Sequence, residues 1–183
     1  MKINDTSLPG IVIVETKPFA DQRGAFARLY CERELARVIG ERHIRQINYS
    51  RTATVGAIRG LHFQYPPYAE TKLVRCLRGR VWDVAVDLRA GSPTFMQWHA
   101  EELSPDNACM IVIPEGCAHG FQVLERDSEL LYLHTEFYQP EAEDGISWND
   151  SRLDITWPLP VAGLSSRDNS FRHIAQDFSG IAL

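Results

Sequence analysis

The feature that most limits the fold of this chain is a series of short apolar runs, each separated from the next by turn residues. Turn signals such as Gly79, Gly91, Asp106 and Gly116 lie between the runs. We predict strands over residues 11–14, 72–78, 81–88, 96–103, 110–113, 120–124 and 129–137. Many short strands with few helices predict an all-β fold, an antiparallel sandwich or barrel, with the jelly-roll class included.

Helical periodicity is confined to two places. Residues 31–39 predict a helix with Glu32, Glu34 and Arg37 facing outward, and Gly40 ends it. A weaker helix is predicted at 171–178. No repeat, low-complexity tract or linker divides the chain, and 183 residues suit one domain, 1–183, with a few short helices.

Charge and composition exclude several classes of function. A net charge of −5 argues against a nucleic-acid binder, which needs a broad basic face, although a few arginines can still form an anion pocket. The four cysteines form no CxxC pair, which is typical of reduced thiols in the cytoplasm. The start of the chain does not resemble a secretory signal, and no apolar stretch is long enough to span a membrane. We therefore predict a cytoplasmic protein without nucleic-acid or membrane partners.

The strand predicted at 129–137 has an unusual face. Alternation places Leu130, Tyr132, His134, Glu136 and Tyr138 on one side, and Leu131, Leu133, Thr135 and Phe137 on the other. The second set is typical of a core. The first set combines two phenols, an imidazole and a carboxylate, so it predicts either a ligand-facing wall or a solvated outer face whose tyrosines pack sideways.

The strands at 72–78 and 81–88 each carry charge among apolar residues. Lys72 is one of only three lysines and begins an apolar strand, which indicates a placed ammonium or a lysine that extends from the strand end to water. Asp83 and Asp87 alternate with apolar residues. They are predicted to pair with arginines of a neighbouring strand, and we expect a structural role for Asp87.

Two histidine segments are candidates for chemistry. Arg59 and His62 flank Gly60, which permits close backbone approach; arginine suits phosphate, and histidine can exchange a proton near neutral pH. His119 follows the turn at 114–116. Each histidine alone is more often a structural hydrogen-bonding residue. A metal site would need both histidines with Glu70 or Gln64, a thin ligand set, so we predict no metal.

In their order along the chain, nine segments resemble the dTDP-4-dehydrorhamnose 3,5-epimerases, sugar-nucleotide epimerases with a cupin-type jelly-roll fold. The matching segments are 19–24, 46–50, 56–64, 72–75, 83–89, 91–95, 113–121, 145–150 and 166–168. The resemblance implies a nucleotide-diphosphate 4-keto-6-deoxysugar as substrate. The ketone of such a sugar acidifies the hydrogens on C3 and C5, so the family uses no metal and no redox cofactor.

The resemblance also implies roles for individual residues. His62 would be the general base, Asp168 would orient its imidazole, Lys72 would stabilise the enolate and Tyr132 would be the acid on the opposite face. The residues implied in substrate binding are Phe19, Arg23, Arg28, Gln46, Asn48, Arg59, Glu70, His119 and Tyr138. Family members pair as homodimers in which strands are shared and the partner contributes to the pocket.

Four residues depart from the family pattern. Arg28 replaces a common glutamate and Glu70 a common glutamine, which leaves the nucleotide base open. His134 stands where a smaller residue is usual, and Leu133 replaces a common lysine; both flank Tyr132 and bear on inversion at C3 against C5. The alternatives are an epimerase acting at one carbon of a different nucleotide sugar, and a non-catalytic or metal-binding sugar cupin.

Overall fold

The computed structural model describes all 183 residues, most of them in strands and turns. The strands are β1 (Lys2–Asp5), β2 (Val12–Glu15), β3 (Phe19–Asp21), β4 (Gly24–Phe26), β5 (Gln46–Thr52), β6 (Ile58–Gln64), β7 (Lys72–Arg78), β8 (Val81–Asp87), β9 (Trp98–Leu103), β10 (Cys109–Ile113), β11 (Cys117–Val123), β12 (Ser128–His134) and β13 (Glu143–Gly145). The helices are α1 (Glu32–Ile39) and a 3₁₀ turn, Asp168–Ser170.

Two antiparallel sheets pack face to face. One has six strands in the order β1-β2-β10-β7-β12-β5, and the other has five in the order β13-β6-β11-β8-β9. Val74 and Leu130 of the first sheet share a buried cluster with Val81 and Phe121 of the second. This double sheet confirms the predicted all-β, cupin-type jelly roll.

The outer faces of both sheets are covered. Helix α1 buries Leu35 and Ile39 against Leu73 and Leu133 of the six-stranded sheet. The C-terminal segment covers the five-stranded sheet, where Phe178 packs near other apolar side chains. No helix has the length and apolar character needed to cross a membrane.

The predicted strands match the observed ones to within three residues at each end, and the strand at 72–78 has the observed bounds. The apolar-run pattern misses β1, β3–β6 and β13. In β5 this is because the strand is polar, and in β6 because glycine interrupts it. The helix predicted at 31–39 is confirmed as α1, with its first residue acting as the N-cap.

The helix predicted at 171–178 is wrong. The segment forms no helix; apart from one hydrogen-bonded turn between Ala175 and Phe178 it runs irregularly over the five-stranded sheet, where Ile174 and Phe178 pack. Its backbone groups bond to other parts of the chain: the Ile174 amide donates to the Asp150 carboxylate, and the Arg172 carbonyl accepts from the Ser147 amide. Tertiary bonds therefore replace the helical ones that spacing alone suggested.

The prediction that the two β8 aspartates pair with arginines of a neighbouring strand is wrong for Asp83, and for Asp87 it is right about the arginine but wrong about its location. Asp87 accepts hydrogen bonds from Arg89, Ser92 and Thr94 in the turn that follows its own strand. It therefore has a structural role, as expected, but with a local partner. Asp83 faces the interior and meets a histidine.

Candidate active site

A cavity of about 390 Å³ opens between the two sheets at one end of the jelly roll. Ten of the thirteen residues predicted to form the site line it: Gln46, Asn48, Arg59, His62, Glu70, Lys72, His119, Tyr132, Tyr138 and Asp168. The other three, Phe19, Arg23 and Arg28, do not. The structure therefore gathers into one pocket all four residues for which the family resemblance implies a catalytic role: His62, Asp168, Lys72 and Tyr132.

Strand register explains why the β12 side chains meet the pocket. Tyr132 lies opposite Asn48 of β5 and Val74 of β7, and His134 lies opposite Lys72. The ligand-facing interpretation of this strand face is therefore the one the structure supports. The alternation ends with the strand at His134, so the predicted core side is only partly right: Leu133 is buried, but Phe137 is exposed.

His62 and Asp168 form a close pair, with 2.7 Å between the His62 Nε2 and Asp168 Oδ1 atoms. Asp168 is buried in the 3₁₀ turn, where its amide donates to the Ser165 hydroxyl. Burial alone would raise the pKa of the Asp168 carboxyl, but the hydrogen bond and charge of His62, together with hydrogen bonds from Ser165 and the Gly60 backbone, outweigh it and hold the pKa below its usual value. A carboxylate only accepts, so Nε2 carries the proton and Nδ1 keeps a free lone pair.

Gly60 allows the backbone of β6 to approach β11 closely. Its φ is +107°, and a Cβ at this position would lie 2.5 Å from the His119 carbonyl oxygen. Because only glycine tolerates both conditions, β6 can lie against the irregular stretch of β11 that brings His62 opposite His119.

His119 forms a second imidazole–carboxylate pair. Its Nε2 lies 2.9 Å from an oxygen of Asp83, and both side chains are buried. Burial raises the pKa of the Asp83 carboxyl, and the contact with His119 offsets only part of that effect. The sequence signal for this pair is an aspartate in an apolar strand, which requires a buried partner, but the partner's identity depends on strand order.

Lys72 points its ammonium into the cavity rather than along the surface, since its side chain is only 9% exposed. The Nζ atom donates to the His62 carbonyl at 3.2 Å and lies 3.3 Å from Glu70 Oε1. The placed-ammonium interpretation is therefore the one that agrees with the structure. An ammonium has three N–H groups, so one stays free for a ligand.

Tyr132 stands on the wall formed by the six-stranded sheet. Its hydroxyl lies 2.9 Å from the Ser50 Oγ atom, and its ring meets His119 edge-on. Burial raises the pKa of the Tyr132 hydroxyl well above its usual value of 10. The phenol therefore keeps its proton near neutral pH. The sequence predicts no individual role for Ser50 within the 46–50 segment, because a serine in a polar strand carries no distinctive signal.

Arg59 lies at the open side of the cavity. Its Nε donates to the Thr52 hydroxyl, and no carboxylate lies within ion-pair distance, so its charge is available to an anion. A rim pair missed by sequence reasoning, Arg167 with Glu143, also lines the cavity.

Phe19, Arg23 and Arg28 lie elsewhere. Phe19 lies in β3, and Arg23 lies in the turn between β3 and β4, where it pairs with Asp21. Arg28 follows the hairpin and pairs with Glu34 of α1. Their predicted role in substrate binding is therefore not supported by the pocket of the same chain.

The predicted lack of a metal site stays a prediction. No group of three or more histidine, cysteine or acidic side chains is arranged to hold a metal ion. In particular, His62, His119 and Glu70 each engage a different partner: Asp168, Asp83 and His134.

Comparison with known proteins identifies the family. The sequence model of dTDP-4-dehydrorhamnose 3,5-epimerase matches residues 5–176. The chain belongs to this family. It is 46% identical to the dTDP-4-dehydrorhamnose 3,5-epimerase of Pseudomonas aeruginosa over 167 residues, which cover 91% of each chain.

Solved structures agree with this family assignment. A Legionella pneumophila 3,5-epimerase in complex with dTDP-4-keto-L-rhamnose superposes with a TM-score of 0.89 at 38% identity, covering 94% of this chain and 92% of that one. A 3′-monoepimerase from Streptomyces bikiniensis gives a TM-score of 0.85 at 29% identity, covering 92% and 85%. The resemblance drawn from the nine segments is confirmed.

Proposed function

We propose that this member of the family inverts C3 and C5 of a nucleotide-diphosphate 4-keto-6-deoxyhexose of the dTDP-4-dehydro-6-deoxyglucose type. The observation that carries the proposal is the pairing of two proton-transfer groups across one cavity. His62, backed by Asp168, belongs to one sheet; Tyr132 belongs to the other. A sugar ring between them would have a base on one face and an acid on the other, which is what inversion requires.

The proposed chemistry follows from the ketone at C4. The Nδ1 lone pair of His62 takes the hydrogen from the neighbouring carbon, and the electron pair moves into an enolate whose oxygen the Lys72 ammonium stabilises. Tyr132 returns a proton to the opposite face and so inverts the centre. The ketone itself accepts the electrons, so these steps need neither a metal nor a redox cofactor.

Substrate binding is proposed for the remaining pocket residues. Arg59 has no acidic partner and would take the diphosphate, whose oxygens suit its forked donors. Gln46 and Asn48 would face the nucleotide side, and Tyr138 with His119 would contact the sugar. The positive charge of Arg59 would then face the diphosphate, and the proton-transfer groups would face the sugar ring.

A second candidate function is inversion at one carbon only. It is favoured by one specific observation: His134 stacks against Tyr132, with 6.1 Å between ring centroids, where the family usually has a smaller side chain. The similarity to a 3′-monoepimerase is consistent with such a specialisation.

The test of the function is NMR of nucleotide-linked 4-keto-6-deoxyglucose in deuterated water, with dTDP, CDP and GDP versions run in parallel. We expect deuterium at both C3 and C5 and new resonances from the inverted sugars. Deuterium at one centre alone would establish the second candidate. No exchange with any of the three nucleotides would contradict the proposal.

We also propose that the whole chain acts as one domain and works as a homodimer. The β3–β4 hairpin leaves Phe19 and Phe26 79% and 72% exposed, and the edge strand β5 exposes Ile47 and Tyr49. Apolar groups and an open edge strand are typical of an interface. A second copy would cover them, and the hairpin of one chain would carry Arg23 to the pocket of the other.

Light scattering after gel filtration tests the assembly. We expect twice the 20.8 kDa mass of the chain. The Phe19→Ser and Phe26→Ser double variant should shift the protein towards monomer. A wild-type protein that elutes as a monomer at micromolar concentration would contradict the homodimer.

The free state of all four cysteines supports the proposed cytoplasmic location. Three of them are buried, and a reducing compartment does not require their pairing. Cell fractionation would check the location, and labelling of the unfolded protein with a thiol reagent, which reaches the buried cysteines too, would check the reduced state.

A further inference from the structure

Two residues that depart from the family pattern contact one another in the pocket. Glu70 Oε2 lies 2.7 Å from His134 Nδ1, and both side chains are about nine-tenths buried. They are far apart in the chain, because Glu70 lies in the loop just before β7 and His134 ends β12. A glutamate in place of glutamine and a histidine in place of a smaller residue therefore form a single unit in this chain.

The Glu70–His134 pair also contacts Lys72. The other Glu70 oxygen, Oε1, lies 3.3 Å from the Lys72 Nζ atom, so one carboxylate serves two donors. Burial alone would raise the pKa of the Glu70 carboxyl, but the Lys72 charge and the His134 hydrogen bond outweigh it and lower the pKa. An ionised carboxylate between an ammonium and an imidazole N–H has both oxygens satisfied.

The contacts of His134 define its tautomer. Because the carboxylate is acceptor-only, Nδ1 carries the proton, and Nε2 is left as an acceptor. The Asn48 Nδ2 atom lies 3.4 Å from Nε2 and is placed to donate to it. The chain of contacts thus runs from Lys72 through Glu70 and His134 to Asn48.

We propose that Glu70 and His134 are positioning residues that hold the Lys72 ammonium so that its remaining N–H points at the carbonyl oxygen of the substrate. The inference rests on the proposed function, in which Lys72 stabilises the enolate. It gives one shared role to Glu70 and His134, the two residues of the pair that depart from the family pattern. The direction of the Lys72 donor depends on a carboxylate that is itself held by the imidazole.

Glutamine at position 70 should disturb this arrangement although it has nearly the same shape. An amide has one oxygen, whereas Lys72 and His134 both need an acceptor. If the oxygen turns to Lys72, the amide N–H₂ meets the His134 Nδ1–H, and the imidazole must move its proton to Nε2. If it turns to His134, the amide N–H₂ faces the ammonium and displaces it.

The kinetic test uses Glu70→Gln, His134→Thr and the double variant. We expect Glu70→Gln to lower kcat on the order of 10-fold with little change in KM, because misplacing a donor affects the enolate more than the bound substrate. Threonine at 134 offers a hydroxyl that can accept from the amide. The double variant should therefore recover to within about threefold of the wild-type kcat, a non-additive result.

A matched control removes a charge elsewhere. Glu125→Gln changes an exposed carboxylate that contacts Arg80 outside the pocket, and its kinetics should equal those of the wild type. Thermal unfolding of every variant checks the fold. Glu70→Gln with an unchanged kcat, or a double variant as slow as the product of the two single effects, would overturn the proposal.

A spectroscopic measurement keeps the inference separate from the proposed function. ¹⁵N correlation spectra of histidine-labelled full-length protein report the tautomer of His134 without any substrate. We expect the Nδ1–H form in the wild type and a change of the His134 signals in Glu70→Gln. An Nε2–H form in the wild type would overturn the inference even in an active epimerase. The expected tautomer in a protein inactive on every sugar would count against the proposed function alone.

Discussion

Replacing His62 with asparagine is expected to abolish deuterium incorporation at both C3 and C5 of the 4-keto sugar. Asparagine is a polar side chain of similar length to histidine, but it has no basic nitrogen. The lone pair at Nδ1 is therefore lost. General-base catalysis contributes about 10²–10⁴ in rate, and we expect a loss of at least that size. The measurement is the rate of exchange at each carbon by NMR in deuterated water.

Tyr132→Phe provides the matched comparison across the cavity. It removes the hydroxyl that contacts Ser50 and keeps the ring that packs against His134. Proton abstraction by His62 should continue in this variant while net inversion slows, so exchange and inversion separate.

Exchange that persists at either carbon in His62→Asn would mean that another group abstracts the proton there.

Replacing Lys72 with methionine is expected to lower kcat by about 10²–10³, the usual effect of removing one preorganised donor from a developing oxyanion. Methionine fills similar space without a charge or a donor. Because the ammonium interacts more strongly with the enolate than with the neutral ketone, kcat should fall more than the affinity for substrate. Steady-state kinetics of inversion measures both.

The control for Lys72→Met must account for stability as well as chemistry. The substitution leaves the buried Glu70 carboxylate without its ammonium partner, which is destabilising, so thermal unfolding of the variant should be followed in parallel. Lys17→Met removes an exposed lysine outside the cavity and should leave the kinetics unchanged. A folded Lys72→Met protein with nearly wild-type kcat would remove Lys72 from the enolate site.

Much of the site was predictable because strand alternation is a local property. The face shared by Tyr132 and His134 follows from counting by two, and the start of β7 places Lys72 at a defined position. The same local logic is wrong at 171–178. There the spacing of Phe171, Ile174 and Phe178 suits a helix, but hydrogen bonds to distant residues hold an irregular segment.

The pairs within the site lay beyond local reasoning. Asp83 required a buried partner, but whether this was an arginine or His119 depended on which strands are neighbours. Neither the contact of Glu70 with His134 nor that of Arg167 with Glu143 has a sequence spacing that could reveal it. The position of Phe19 and Arg23 away from the pocket likewise follows from where the hairpin leaves the sheets.

By itself the sequence determined the class of fold and the chemical groups available, because both depend on periodicity and residue type within short stretches of chain. Only the tertiary structure decided which of those groups meet. Hydrogen bonds such as that between His62 and Asp168 join residues 106 positions apart, and their formation depends on the strand order and register of two packed sheets.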